Sequence, residues 1–319
     1  MDTTRLKDKV VLVTGASGFT GRHAVQLLRA CGAKVAAVTR SLSADLQDDH
    51  VTVHLCDLRD RQAVNRLVSH TQPDYILHLA GQNSVPASWA DPVSTIEMNV
   101  MSPLYLLDAM RTLPECRAVI VGSRLKYIPV PDLPLSPPHP YSLSKYMEEL
   151  VSMSFSAMYS QQMIYAEPGN LIGPGPSTGI CSLLAAHVIS AEQGKNPNPF
   201  RLSSRDDARD YLDVRDAVWA YLALLLNGEP GRIYPVISGK ERTLGEIADV
   251  LLSSTKVQVP LLWGSPSSGP GGVSAIEDDS ESCASLTKLG WKPEIPFASS
   301  IEDVLQDHRH RRSKEGGQA

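Results

Sequence analysis

Lys9–His23 reads "KVVLVTGASGFTGRH", and this stretch decides how the rest of the chain is read. "KVVLVT" is a short, nearly continuous apolar run. Such a run suits a strand buried on both faces rather than one with a wet side. Gly15, Gly18 and Gly21 follow in the spacing G-x-x-G-x-x-G, and a helical stretch runs from about Thr20 to Cys31.

Working outward, the alternation continues. "KVAAVT" (34–39), "VTVHLCD" (51–57), "PDYILHLAG" (73–81), "RAVIVGS" (117–123) and "QQMIYAEPGN" (161–170) read as further strands. "RDRQAVNRLVSH" (59–70) reads as a helix with Ala63, Leu67 and Val68 on one side. "DPVSTIEMNVMSPLYLLDAMR" (91–111) reads as one long helix, and another starts near Tyr141. Strands alternating with helices predict right-handed βαβ units and an α/β, Rossmann-type, doubly wound parallel sheet. After about Asn170 the pattern changes. "LIGPGPSTG" reads as a Gly/Pro-rich loop and "GSPSSGPGG" as a flexible one. "ICSLLAAHVISAEQ", "VRDAVWAYLALLL" and "TLGEIADVLLSS" read as helices. The expected organisation is a cofactor-binding domain over 1–168, with 209–240 returning to it. A smaller, irregular C-terminal substrate-binding cap takes 169–208 and 241–319.

The composition narrows the function classes. A chain of 319 residues with 42% hydrophobic and 20% charged residues can bury a sizeable core. A net charge of −5 gives no basic field, so neither nucleic acid nor a membrane surface is an expected partner. The basic tail "DHRHRRSKEGGQA" reads as a frayed, solvated terminus. Cys31, Cys56, Cys116, Cys181 and Cys283 are scattered, odd in number and without C-x-x-C, which argues against a disulfide framework or zinc site. No metal is expected. With no signal-like or membrane-spanning run, the expected location is cytoplasmic.

Glycines between a first strand and a first helix permit a tight turn and close approach of backbone to a pyrophosphate, which the helix N-terminus then faces. The strand–turn–helix context predicts a dinucleotide site rather than a purely structural turn. Its contacts are Gly15, Gly18, Phe19, Thr20 and Gly21. At the end of the second strand, where an NAD enzyme carries an acid, stand Thr39 and Arg40, and an arginine suits a 2′-phosphate. NADP(H) is therefore expected over NAD(H), the alternative being that Arg40 is an ordinary surface charge. Asp57, followed by Leu58, either accepts from the adenine amino group or caps a helix at Arg59.

"PHPYSLSKYMEE" (138–149) places Tyr141 and Lys145 four apart, on one helix face. A free phenol titrates near ~10, and a neighbouring ammonium favours the phenolate. Beside a nicotinamide, such a tyrosine moves a proton while the cofactor moves a hydride. Ser123, at the end of the fifth strand, is placed to orient a carbonyl oxygen.

These residues resemble an extended short-chain dehydrogenase/reductase of the NAD(P)-dependent nucleotide-sugar epimerase/dehydratase kind. The glycine turn, "HLAGQNSV", "YSLSK", and "NLIGPGP" with "RDYLDVRD" carry the likeness through nearly the whole chain. Within that family the chain is most similar to GDP-4-keto-6-deoxy-D-mannose reductases, then to GDP-mannose 4,6-dehydratases. The resemblance implies a catalytic set of Ser123, Tyr141 and Lys145. It implies cofactor contacts from Leu79, Ala80, Gly81 and Asn99 as well as Tyr141 and Lys145. Ser84 and Ser123 would face the hexose, Asn170 the sugar-nucleotide phosphates and Arg209 the nucleotide. It also implies a homodimer formed through the helices near Asn99 and Tyr141.

Some positions depart from the family pattern. Leu125 stands where the dehydratases carry the glutamate base that drives water loss. Arg124 replaces a small residue, Glu167 an arginine and Leu171 a histidine. The late R-P-x-[DE] arginine is absent from "SSGPGGVSAIEDD". Three activities remain: an NADPH-dependent reductase of a nucleotide-linked 4-keto-6-deoxyhexose, a 4-epimerase of the same fold, and a dinucleotide sensor without catalysis.

Overall fold

The computed structural model describes residues 2–41, 48–195, 198–264 and 285–316. "GSPSSGPGG" beyond Gly264, the "SSGPGGVSAIEDD" stretch and Cys283 lie outside the described residues. Two compact units divide the chain. The first takes Met1–Pro168, Val218–Val236 and Ala284–Trp291, and the second Gly169–Ala217, Ile237–Cys283 and Lys292–Ala319. The 209–240 stretch is thus split: 218–236 belong to the first unit, and its two ends to the second.

In the first unit, β1 (Val10–Thr14), β2 (Lys34–Thr39), β3 (Val51–Leu55), β4 (Tyr75–His78), β5 (Arg117–Val121), β6 (Gln162–Pro168) and β10 (Ile233–Val236) form one sheet. Its order is β10-β6-β5-β4-β1-β2-β3, and every neighbouring pair is parallel. This is a doubly wound, Rossmann-like sheet, with order 3-2-1-4-5-6 extended by one edge strand. Helices α1 (Phe19–Ala30), α2 (Arg61–Thr71), α3 (Val85–Ala90), α4 (Pro92–Ile96), α5 (Ser102–Met110) and α6 (Pro140–Met158) flank it. Leu12, Val38, Ile76, Leu106, Leu107, Ile120, Met163 and Tyr165 are buried in one core. β1, β2, β4, β5 and β6 carry buried runs without alternation, as burial on both faces requires.

The segment 91–111 is not one regular helix. Between α4 and α5, Glu97–Met101 make a π turn, closed by Ser102 N–H donating to Glu97 O five residues back. Pro103 explains it: it has no N–H for the carbonyl of Asn99, and its ring would crowd that carbonyl in a regular helix. The wider turn leaves Asn99 fully buried. α2 begins at Arg61 with Asp60 as its cap, so Asp57 does not cap a helix at Arg59.

In the second unit, β7 (Asn170–Ile172) pairs parallel with β9 (Ala208–Asp213), and β11 (Glu241–Thr243) antiparallel with β9. β8 (Phe200–Leu202) pairs with β12 (Leu261–Trp263). α7 (Ile180–Glu192), α9 (Leu244–Ser253) and a C-terminal helix α10 (Phe297–Gly316) enclose Leu184, Val188, Tyr211, Ile247, Leu251, Ile301 and Leu305. α8 is Val214–Asn227. The basic tail is not frayed at its start: α10 runs through Gly316, and Arg309 forms an ion pair with Glu192 at 2.5 Å.

Candidate active site

The turn after β1 is built for close backbone approach. Gly15 has φ +65°, and a Cβ there would lie 2.9 Å from Ala80 N. A Cβ at Gly21 would lie 2.1 Å from Gly15 O. Gly18 N–H donates to Gly15 O at 2.9 Å. Gly18 is the N-cap of α1, and among the described residues no side-chain cap bond closes that helix end. Free amide donors at a helix N-terminus with room for backbone approach suit a pyrophosphate, so these residues fit a dinucleotide. Phe19 and Thr20 begin α1, where Phe19 packs edge-on against His23 with centroids 6.0 Å apart.

Thr14 ties the turn to β4. Its Oγ1 accepts from Leu79 N at 3.1 Å and Ala80 N at 3.2 Å, and lies 2.9 Å from His78 Nδ1. With two donors already on that oxygen, its own hydrogen is left for His78. Burial, with Lys145 nearby, holds His78 down at about 3, so it stays neutral. Gly81 follows. A Cβ there would meet Asn99 Oδ1 at 3.3 Å and Lys145 Nζ at 3.6 Å.

At the second and third strand ends, Thr39 is buried and its hydroxyl donates to Ser41 O at 2.9 Å, while Arg40 is exposed. Asp57 is held by Arg59, which donates from Nε at 3.0 Å and Nη2 at 2.8 Å as well as from its backbone. Those bonds keep its carboxyl down at about 2, with a smaller contribution from Arg40. Leu58 is buried in the core beside it.

Asn99 acts as a clamp. Its Oδ1 accepts from Gln82 N at 2.7 Å, and its Nδ2 donates to Gln82 O and to Ser144 Oγ, on α6, at 3.0 and 2.9 Å. Ser84 is the N-cap of α3, accepting from Ala87 N at 3.2 Å. Ser88 on that helix accepts from Tyr141 N at 3.2 Å. The first turn of α6 is thereby fixed by α3 and by the π turn.

Tyr141 is buried, and His139 stacks on its ring with centroids 6.0 Å apart. Ser123 accepts from Leu125 N at 3.0 Å, which leaves its hydroxyl hydrogen available. Tyr127 N donates to Ser142 O at 2.9 Å, binding the loop that carries Ser123 to the start of α6. Lys145 Nζ donates to Val121 O at 3.4 Å. Its ion pair, however, is with Glu148 Oε2, 2.7 Å away. Sequence reasoning missed Glu148. The signal was there as an acid three residues after Lys145 on one helix face, but nothing local sets it apart from the adjacent Glu149. A second unread cluster is Lys126, which pairs with both Glu149 on α6 and Glu167 on β6. Burial, with Glu149 adding, pushes Glu167 up to about 7 against the pull of Lys126. Leu125, at the position of a dehydratase base, is 49% exposed and has no proton to move.

Asn170 and Arg209 belong to the second unit. Asn170 Nδ2 donates to Asp210 O at 3.1 Å, and Arg209 Nη1 to Ala208 O at 2.6 Å. The Asp210 carboxylate accepts from Ser238 Oγ at 2.8 Å and from the Ser238 and Lys240 amides, rather than pairing with Arg209.

Comparison with known proteins bears on this geometry. The chain is 29% identical over 311 residues to the GDP-6-deoxy-D-mannose reductase of Pseudomonas aeruginosa, covering 94% of this chain and 97% of that one. It is 25% identical to a putative UDP-glucose 4-epimerase of Methanocaldococcus jannaschii, covering 93% and 97%. The structure of RMD from Pseudomonas aeruginosa complexed with NADPH superposes with a TM-score of 0.76 at 28% identity, covering 95% and 100%. The pattern that defines one family spans residues 11–236, from β1 and its glycine turn through the Tyr141–Lys145 helix to β10. With sheet, turn and helix all inside that span, the chain belongs to the NAD dependent epimerase/dehydratase family of enzymes.

Proposed function

We propose that the chain is an NADPH-dependent reductase of a nucleotide-linked 4-keto-6-deoxyhexose, of the GDP-4-keto-6-deoxy-D-mannose type. The observation that carries this reading is the placement of Lys145: it is buried on α6, four residues after the buried Tyr141, with its Nζ 3.6 Å from where a Cβ on Gly81 would be. Likeness to the GDP-6-deoxy-D-mannose reductase supports the substrate class.

Gly15, Gly18, Phe19, Thr20 and Gly21 would hold the cofactor pyrophosphate. Arg40 and Thr39 would take the 2′-phosphate. Asp57, Leu58, Leu79, Ala80, Gly81 and Asn99 would line the rest. When bound, the nicotinamide supplies the hydride that goes to C4 of the sugar. Ser123 donates its free hydroxyl hydrogen to the C4 carbonyl oxygen and polarises it. Tyr141 gives its phenol proton to the oxygen as the C–H bond forms, so that a ketone becomes an alcohol. Lys145 faces the tyrosine with its positive charge, steadies the phenolate left behind and reaches the ribose. Ser84 would face the hexose, and Asn170 and Arg209, in the second unit, would serve the phosphates and nucleotide. Leu125 removes the base that dehydration would need. Trp89, Val93 and Leu150, exposed on α3, α4 and α6, support pairing of two copies through those helices. Among the described residues no helix is long and apolar enough to cross a membrane; a cytoplasmic location is part of this proposal.

A C4 epimerase is the second reading, favoured by the likeness to a putative UDP-glucose 4-epimerase. The test incubates the protein with NADPH and 4-keto-6-deoxyhexoses linked to GDP, dTDP, UDP or CDP, and follows loss of NADPH absorbance. Stoichiometric oxidation with one such sugar is expected. No oxidation with any of them, together with interconversion of UDP-glucose and UDP-galactose, would replace this reading by the second.

A further inference from the structure

Lys145 and Glu148 are 3% and 0% exposed and 2.7 Å apart. The Tyr-x-x-x-Lys spacing asks for no acid three residues further along α6. Enclosing two charges is costly, and their attraction offsets the loss of water only when further hydrogen bonds hold both. Such bonds are present. Tyr165 Oη donates to Glu148 Oε2 at 3.3 Å, and Lys145 Nζ to Val121 O at 3.4 Å. The Tyr165 hydroxyl sits 2.2 Å from where a Cβ on Gly122 would be, so β6, the end of β5 and α6 meet at this pair. Glu148 Oε1 is buried with no hydrogen-bond partner among the described residues.

We infer that Glu148 is a positioning residue: it fixes Lys145 in place, keeps it cationic beside Tyr141, and so sets the upper edge of the pH range in which the site works. The inference rests on the reading that Lys145 serves the reaction. Burial works against the ammonium, and Glu148, with Tyr141 adding, outweighs it and holds Lys145 above the ordinary lysine value. Burial also raises Glu148, with Lys145 opposing. Free lysine nevertheless binds its proton about six pH units more tightly than free glutamate, which leaves the proton on Lys145. The other titratable groups around the pair do not substitute for Glu148. Glu149 and Glu167 are taken by Lys126, His78 is neutral, Tyr165 is an uncharged donor, and His139 stacks on Tyr141. Among the described residues, Glu148 makes the one ion pair to Lys145.

Glu148→Gln keeps the shape and removes the charge. The buried ammonium then stands alone, and a fully buried lysine without a partner gives up its proton at distinctly lower pH. The basic limb of kcat/KM for NADPH-dependent reduction should move down by about one pH unit or more. In labelled protein without substrate or cofactor, the Lys145 ε-carbon signal, assigned through Lys145→Arg, should titrate lower by a similar step. NADPH affinity should gain a pH dependence on the alkaline side. Glu148→Asp, which withdraws the charge by one methylene, should shift the limb in the same direction by less, and it carries the test if Glu148→Gln does not fold. A limb and a lysine titration that stay at their wild-type positions in the folded variants overturn the inference. If the wild type reduces no 4-keto sugar, the functional reading fails, and the lysine titration still decides the role of Glu148.

Discussion

Replacing Glu167 with glutamine should change how stability depends on pH. The carboxyl is 7% exposed and bound to Lys126, which also binds Glu149. Burial and then Glu149 raise it from 4.5 to about 7. The folded protein therefore holds a proton on Glu167 that the unfolded chain releases earlier. The sign follows: the contribution is fully present below about 4.5 and is lost as pH rises through about 7. A rise of that size, at about 1.4 kcal/mol per pH unit, corresponds to about 3 kcal/mol. Glutamine does not ionise and loses nothing over this interval. Relative to wild type, Glu167→Gln should gain up to about 3 kcal/mol between pH 5 and 8, whatever its offset at pH 5. Urea unfolding of both proteins at one-unit pH steps, followed by circular dichroism, measures the difference. A difference that stays constant from pH 5 to 8, or runs the other way, refutes the reasoning.

Arg40→Asp should weaken NADPH binding about tenfold or more and leave NADH within about threefold, because a charge-assisted contact to the 2′-phosphate becomes a repulsion. Fluorescence titration checks it, and equal losses for both cofactors would remove Arg40 from the site. Gly21→Ala places a Cβ 2.1 Å from Gly15 O, a backbone atom that cannot step aside. It should lower stability by about 1–3 kcal/mol and weaken either cofactor; unchanged thermal unfolding and affinity would contradict the geometry.

The sheet and the glycine turn were legible because each leaves a local mark. Strands buried on both faces need unbroken runs such as "VVLVT", and a backbone that must approach another closely needs Gly15 and Gly21. The π turn left a weaker mark. The apolar rhythm of 91–111 continues straight through it, and Pro103 alone signals the break. β10 is short and contains Pro235, which weakens any strand signal, yet it sits at a sheet edge where a missing donor is tolerated. Glu148 was hidden because nothing local distinguishes it from Glu149. Packing of Tyr165 and the end of β5 against α6 encloses the first glutamate beside Lys145. In the same way, the run after Asp307 reads as solvated until Glu192 on α7 supplies a partner for Arg309.

In the proposed reaction Tyr141 delivers the proton while NADPH delivers the hydride. Tyr141→Phe keeps the ring, its burial and its stacking on His139, and removes the one proton it can give. Turnover of a 4-keto-6-deoxy sugar nucleotide with NADPH should fall by ~10²–10⁴-fold, the usual worth of a positioned general acid. NADPH affinity should stay within about threefold, a fraction of a kcal/mol. A Tyr141→Phe protein with native circular dichroism and near-complete turnover would contradict the account and place the chemistry elsewhere.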